Sequence, residues 1–283
     1  MHGVSVVAEI LKREGIEYLC AFPAQPLIEE CARIGIVPVL CRQERIGMGI
    51  ADGFSRTTNG KRLGVFTMQQ GPGAENAYPG AAQAFADNVP ILVLPGGTSS
   101  DRVTVRPEFS AAQNYQGITK QVEQILRPDQ VTNVMRRAFH GLRNGRPGPV
   151  AVEMLSDICS QEVPEEHIAY HSPNPIRQVP TQGDIKDTIK VLLSAKRPVI
   201  WAGMGVLLAG ASAELTEFAE LMNIPVYTTM PGKSSIDERH PLALGAGSGA
   251  TTLAGRTWLQ TSDVLIAIGS SLNRFKIASI LCK

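Results

Sequence analysis

The chain predicts an α/β protein of two doubly wound parallel-sheet domains, the second incomplete. Three observations carry this. Short apolar runs that read as strands alternate with longer segments whose apolar residues recur at helical spacing. A polar tract with prolines at 164, 173, 175 and 180 interrupts the alternation once, after which it restarts. The second series shows only three strands before residue 283, fewer than a doubly wound sheet ordinarily carries.

The first series opens with a helix over residues 4–14, in which Val6, Val7, Ile10 and Leu11 share a face and Gly15 is the stop. A strand over 16–22 runs into a turn marked by Pro23 and Pro26. A helix over 27–33, ended by Gly35, leads to a strand over 37–41 and then abruptly to Glu44. Ile46, Ile50 and Phe54 follow at a spacing of four, as in a helix. Residues 63–68 read as a buried strand, 74–86 as an Ala-rich helix, and 90–94 as a strand stopped by Pro95-Gly96-Gly97. Residues 98–116 form a long polar loop, a feature that is often functional inside a compact domain. A helix over 130–142 and a strand over 150–154 close the first domain, 1–155, and 156–183 is a linker.

The second domain, 184–283, reads as a helix over 185–193, a strand over 198–202, an Ala-rich stretch over 209–223, a strand over 224–228, a helix over 252–259 and a strand over 264–268.

Composition excludes several functions. A net charge of +1, from 27 basic and 26 acidic residues without a basic run, argues against nucleic acid or an anionic membrane as partner. The N-terminal segment has no signal-peptide core and no membrane span, which predicts a cytoplasmic protein. Five cysteines with no Cys-x-x-Cys pair read as buried free thiols. His167 and His171 stand four apart without a cysteine or paired acid nearby, so no residue is assigned to a metal.

Glu44 lies at the mouth of a strand, where open α/β sheets hold ligands. Its local explanation is an acid favoured by the helix dipole, worth about 0.3–1 kcal/mol. Gly71-Pro72-Gly73 is either a tight turn with Asn76 capping the next helix, or a backbone that lets a flat ring approach closely. Gly203-Met-Gly205 follows a strand and leaves a nucleotide site open there, with Thr228 and Thr229 at the end of the next strand. The following glycine is Gly210, however, so the dinucleotide spacing is missed, and no acid stands where a ribose would want one. An ordinary NAD-dependent dehydrogenase is therefore disfavoured. Asp52 and the pair Asp237-Glu238 read as solvated or structural.

Taken together, several stretches resemble the thiamine-diphosphate-dependent enzymes of the acetolactate synthase type, across residues 3–272. They are Glu44 with Ala51-Asp-Gly-Phe-Ser-Arg56, Gly71-Pro-Gly-Ala-Glu-Asn76, Asp87-Asn-Val-Pro-Ile-Leu92 and Gly145-Arg-Pro-Gly-Pro-Val150. In the second domain they are Ile224-Pro-Val-Tyr-Thr-Thr229, His240-Pro241 and Ile266-Ala-Ile-Gly269. The resemblance implies that residues 1–155 hold the cofactor's aminopyrimidine, that Glu44 is the catalytic glutamate, and that Pro23, Gly71, Pro72, Gly73 and Asn76 line its pocket. It implies a 2-keto acid as substrate, and residues 184–283 as part of the family's central domain. A carboxyl group bonded to the ring nitrogen favours the imino tautomer, whose nitrogen takes the proton from the thiazolium C2.

The chain departs from that pattern in three places. Arg106-Pro-Glu-Phe109 is no clean match to the loop and Phe-Gln pair that line the substrate channel of acetolactate synthases. Gly245-Ala-Gly-Ser-Gly-Ala-Thr-Thr252 lacks Met-His-Gly-Thr, and Ser270-Ser-Leu-Asn-Arg274 replaces Arg-Phe-Asp-Asp-Arg, which leaves FAD open. The chain has no Gly-Asp-Gly, so ligands for Mg2+ and the cofactor's diphosphate are absent from it. These are expected from a partner chain that supplies the diphosphate domain, and the assembly is expected to be a homo-oligomer or a pairing with such a chain. Residues 275–283 do not continue the pattern, pointing to a truncated product, a shifted frame or a separately encoded half. The alternatives are a non-catalytic assembly module that keeps the fold and a nucleotide-binding protein using the Gly203 region.

Overall fold

The computed structural model describes residues 1–176, 178–247 and 251–272, and the chain divides into two compact units, Met1–Arg177 and Gln178–Lys283. The expectations resting on Arg274, Cys282 and residues 275–283 lie outside the described residues, as does the centre of the 245–252 loop.

The first unit runs α1 Gly3–Arg13, β1 Tyr18–Ala21, α2 Pro26–Arg33, β2 Val37–Leu40, α3 Glu44–Thr57, β3 Gly64–Met68, α4 Pro72–Ala86, β4 Ile91–Gly97, α5 Ala111–Asn114, β5 Gln121–Ile125, α6 Val131–Arg143, β6 Val150–Leu155 and α7 Ser156–Cys159. Its strands form one parallel sheet in the order β2-β1-β3-β4-β6-β5. Parallel neighbours need long crossovers, which the helices supply on both faces. On one face Val7, Leu11, Leu27 and Phe139 from α1, α2 and α6 pack with Val65 and Leu94. Phe66 points the other way, under α3, as strand alternation requires.

α3 buries Gly47, Met48, Ala51 and Ser55, whereas Ile46 and Ile50 stand 52% and 39% exposed. The period of four read from the sequence is present, but the buried face is the small-residue one. Small side chains let α3 lie close on β3, and the bulky isoleucines are turned outward.

Two strands differ from the sequence reading. β4 does not stop at Pro95: its pairing continues through Met68↔Pro95, Gly96↔Met154 and Gly97↔Leu155. Neighbours on both sides hold the Gly-Gly extension that the local sequence disfavours. β5 was not visible because Gln-Val-Glu-Gln-Ile is largely polar; it is an edge strand whose partner, β6, supplies the order.

The tract after β6 lies against the first unit through residue 176, where Ile176 N–H donates to Asn144 Oδ1 at 2.5 Å. Val163 N–H donates to Met1 O at 2.8 Å and Gly3 N–H to Gln161 O at 2.9 Å. The buried Glu14 carboxylate accepts from the Tyr170 hydroxyl and, at 2.8 Å, from Ser172 Oγ, and pairs with Arg143.

The second unit runs α8 Gln182–Ser194, β7 Pro198–Ala202, α9 Met204–Ala209, α10 Ser212–Met222, β8 Val226–Thr228, β9 Ala243–Ala246, α11 Leu253–Thr261 and β10 Val264–Ile268. The strands are parallel in the order β10-β7-β8-β9. The count of three strands is thus corrected to four among the described residues: Ala-Leu-Gly-Ala has little strand propensity, and β9 exists through its pairing to β8. Gly210 in the left-handed conformation ends α9, and the Ala-rich stretch after it forms α10. Ile200 and Ala202 face Leu192, Val206 and Leu215, whereas Val199 and Trp201 face Tyr227 and Leu259. Among the described residues no helix is long and apolar enough to cross a membrane, and Cys20, Cys31, Cys41 and Cys159 are free and buried.

Candidate active site

Strand order reverses between β1 and β3: the chain leaves β1 outward to β2 and leaves β3 the other way to β4. Such a switch point opens a crevice at the carboxyl ends of the strands. Glu44 stands at this end, as the first residue of α3. The turn before it is pinned to β1, because Cys41 N–H and Sγ both donate to Ala21 O, at 2.9 and 3.2 Å. The Glu44 side chain is only 6% exposed. The dipole explanation holds locally, since the free N–H groups of a helix start favour an acid. It does not account for the burial, which costs more than an exposed acid at the same position would.

Gly71 precedes α4 with φ 59° and ψ −112°, a backbone that favours glycine, and Pro72 follows at the start of the helix, where its missing N–H costs nothing. Gly73 faces the carboxylate: a Cβ there would lie 2.6 Å from Gln69 Cγ and 3.4 Å from Glu44 Oε1. Asn76 is inside α4 rather than capping it, and its Nδ2 donates to Glu44 Oε2 at 2.7 Å. Glu44, Gly73 and Asn76 are therefore one cluster. Oε1, on the Gly73 side, accepts nothing from the described residues. Pro23 is exposed in the turn after β1, at the same end of the sheet.

Residues 98–116 rim this end. Gln70, Gly71, Pro72 and Glu75 on one side and Arg106, Phe109 and Asn114 on the other bound a cleft of about 650 Å³. Two buried contacts hold the rim: Tyr115 hydroxyl donates to Ala74 O at 2.6 Å, and Glu153 accepts from Ala111 N–H at 2.9 Å and Gln124 Nε2 at 2.6 Å. Burial pushes the Glu153 carboxyl above the usual carboxylate range, against the pull of those hydrogen bonds. Glu153 was not legible in the sequence, where Val-Ala-Val-Glu-Met-Leu reads as a strand with one stray acid. Gln25, in the turn after β1, lies at the same end of the sheet, with its side-chain amide beside Gly96.

In the second unit, Gly203 and Gly205 are packed against backbone. Cβ atoms there would lie 2.3 Å from Gly269 O and 2.6 Å from Gly269 Cα. Thr229 N–H donates to Ala202 O at 2.9 Å, its Oγ1 accepts from Gly232 N–H at 3.1 Å, and Thr228 O accepts from Gly247 N–H at 3.2 Å. The glycine pair and the two threonines thus hold adjoining turns together.

Comparison with known proteins gives two matches to family models: the N-terminal TPP binding domain of thiamine pyrophosphate enzymes over residues 1–126, and the central domain of the same enzymes over 185–280. The chain is 35% identical over 281 residues to a probable acetolactate synthase large subunit of Methanococcus aeolicus, covering 95% of this chain and 46% of that protein. It is 34% identical over 279 residues to the corresponding protein of Methanocaldococcus jannaschii, covering 95% and 47%. It is also 30% identical over 284 residues to a glyoxylate carboligase of Escherichia coli O157:H7, covering 97% and 47%. The chain spans about half the length of these curated relatives. With two domain models matched in order along most of its length, the chain belongs to the thiamine pyrophosphate enzyme family and carries its N-terminal TPP-binding and central domains.

Proposed function

We propose that this chain provides the pyrimidine-binding half-site of a thiamine-diphosphate-dependent carboligase or decarboxylase acting on 2-keto acids. The observation that carries the reading is the buried Glu44 carboxylate, with one oxygen held by Asn76 and the other free beside Gly73. A ring nitrogen presented at Gly73 meets a fixed carboxyl oxygen rather than water, so the donor set fits an aminopyrimidine. When bound, thiamine diphosphate supplies a carbon nucleophile that adds to the keto carbonyl and stabilises the charge left after decarboxylation. Glu44 exchanges a proton with the ring at Oε1, Asn76 holds the carboxylate in place, and burial keeps water from competing.

Among the described residues no group of three His, Cys, Asp or Glu side chains could hold a metal ion, and on this reading the Mg2+ and diphosphate ligands belong to a diphosphate-binding domain outside residues 1–283. The exposed Leu40, Ile46 and Ile50 near Glu44 supply apolar surface for that domain. FAD has less support, since the Gly203 and Gly205 positions are filled by the Gly269 backbone.

Calorimetry with thiamine diphosphate and Mg2+ tests the reading, on this chain alone and then with a candidate diphosphate-domain partner. Binding that appears with the partner and is lost in Glu44→Gln supports it. No binding in either case leaves an assembly module, and ADP or FAD binding indifferent to Glu44→Gln favours the nucleotide alternative.

A further inference from the structure

Glu153, toward the carboxyl end of β6, is 4% exposed and holds the segment that rims the candidate site. Its Oε1 accepts from Ala111 N–H at 2.9 Å, and its Oε2 accepts from Gln124 Nε2 at 2.6 Å and from Ser110 Oγ at 3.5 Å. Ala111 opens α5, a single turn that follows Phe109 and ends at Asn114, two residues of the cleft wall. The two ends of the rim are fixed without Glu153. Asp157 accepts from Ser100 N–H at 2.9 Å and from Ser100 Oγ at 2.5 Å, and the Tyr115 hydroxyl is committed to Ala74 O, next to Gly73. Between these ends, among the described residues, the rim is hydrogen-bonded to the sheet through this one buried acid.

Among the described residues no full charge faces the Glu153 carboxyl from the elements packed on it. β4 offers Gly97, where a Cβ would lie 3.1 Å from Glu153 Cγ, and α5 carries no ionisable residue. On β5, Glu123 pairs with Arg137 of α6, and on the rim Arg106 reaches Gln113 Oε1 and Glu108 O. Burial therefore outweighs the neutral donors and raises the Glu153 carboxyl. At Asp157 desolvation is opposed by the Ser100 bonds, which prevail and hold that carboxyl below the ordinary range, so this end stays ionised. With the rim lifted from the sheet, Glu153 meets water and loses its elevation. By linkage, the closed rim is favoured below the ordinary carboxylate range and loses that support as pH rises through the raised value. A protonated Oε2 has an acceptor at hand in Ser110 Oγ, since a hydroxyl can take either role.

We infer that Glu153 is a positioning residue for the cleft: protonated, it holds Phe109 and Asn114 across from Gly71 and Pro72, and ionised, it releases them. The consequence for catalysis rests on the thiamine-diphosphate reading of the adjoining Glu44 cluster, whereas the latch itself does not.

Hydrogen exchange followed by mass spectrometry on this chain alone, corrected for the intrinsic rate at each pH, reads the latch. In wild type, protection of residues 103–114 relative to β6 is expected to fall about tenfold from about pH 5 to about pH 8, the equivalent of roughly one hydrogen bond. Glu153→Gln, neutral throughout, should show no such step. Ser110→Ala removes the acceptor of the protonated form and should lower the acid-side protection to the wild-type level at the alkaline end. In the enzyme assembled with its diphosphate domain, KM for pyruvate should rise about tenfold over the same interval in wild type and stay level in Glu153→Gln. Proton exchange at the cofactor C2 without substrate should follow one pH dependence in both. A protection step that is absent in wild type, or that persists in Glu153→Gln, overturns the latch. Should Glu153→Gln melt too low to assay, unchanged protection in Ser110→Ala overturns it instead. A step in protection with none in KM overturns the positioning role alone. Absence of C2 exchange in the wild-type assembly overturns the cofactor reading and the catalytic consequence, and the hydrogen-exchange result then judges the latch by itself.

Discussion

Asn76, within the second turn of α4, donates from Nδ2 to Oε2 of Glu44, the first residue of α3, at 2.7 Å. The bond ties together the starts of two helices that follow different strands, and it leaves Glu44 with one committed oxygen and one free. Two substitutions separate these roles. Glu44→Gln in a competent assembly should slow C2 proton exchange about 10²–10⁴-fold, the range for a general acid–base group, with little loss of fold. Asn76→Ala should slow exchange less, while costing about 1–3 kcal/mol by leaving a buried oxygen unpaired. Proton exchange followed by NMR, with thermal melts of both variants, measures the pair; wild-type exchange in Glu44→Gln contradicts the assignment.

Glu153 lends itself to a pH experiment. Its folded-state pKa is raised by burial, so the stability it contributes is full below the unfolded pKa and is lost as pH rises through the folded value. Glu153→Gln removes this titration and also sets an amide N–H against the Gln124 Nε2 donor. The variant should melt below wild type, with the gap widest near pH 4 and narrowing toward pH 7. A gap independent of pH would contradict the shift.

The Glu14 clasp predicts a large local effect. Glu14→Ala leaves Arg143 and the Tyr170 hydroxyl without their carboxylate, a loss of about 3 kcal/mol for breaking a buried pair from one side. Limited proteolysis should then cut the tract around residues 160–176 well before the sheet of the first unit. Equal resistance in wild type and variant would show that the apolar contacts of Val163 and Ile168 suffice.

Thiol reactivity should be low throughout the first unit. Burial pushes Cys20 up to about 11 and both Cys31 and Cys159 up to about 12, and it also raises Cys41. The thiolate is the reactive form, so iodoacetamide at pH 8 should leave these four unmodified in the native chain and label them in urea. Peptide mapping by mass spectrometry reads this directly, and native labelling of Cys41 would show that the turn before Glu44 opens.

Much of the site was legible from local patterns. A carboxylate directly after a short apolar run, and a Gly-Pro-Gly directly after another, each mark the end of a parallel strand, where ligands bind. Their partnership was not legible as geometry. Glu44 and Asn76 are 32 positions apart, and only the placement of β1 between β2 and β3 brings them to hydrogen-bond distance. The phase of α3 was hidden too, because close helix–sheet packing favours Gly47 and Ala51 over the isoleucines that hydropathy picks out.

What the sequence alone determined was the class of fold, its restart after a proline-bearing tract, and the residue types at the strand ends, because these follow from local periodicity and turn chemistry. Tertiary structure decided the rest. It extended β4 through Gly97, created β5 and β9 from weak segments, turned Gly203 and Gly205 toward the Gly269 backbone, and laid Gln25 across Gly96. Each of those outcomes depends on a neighbouring strand that supplies hydrogen bonds or occupies space, and no local stretch of sequence specifies its neighbour.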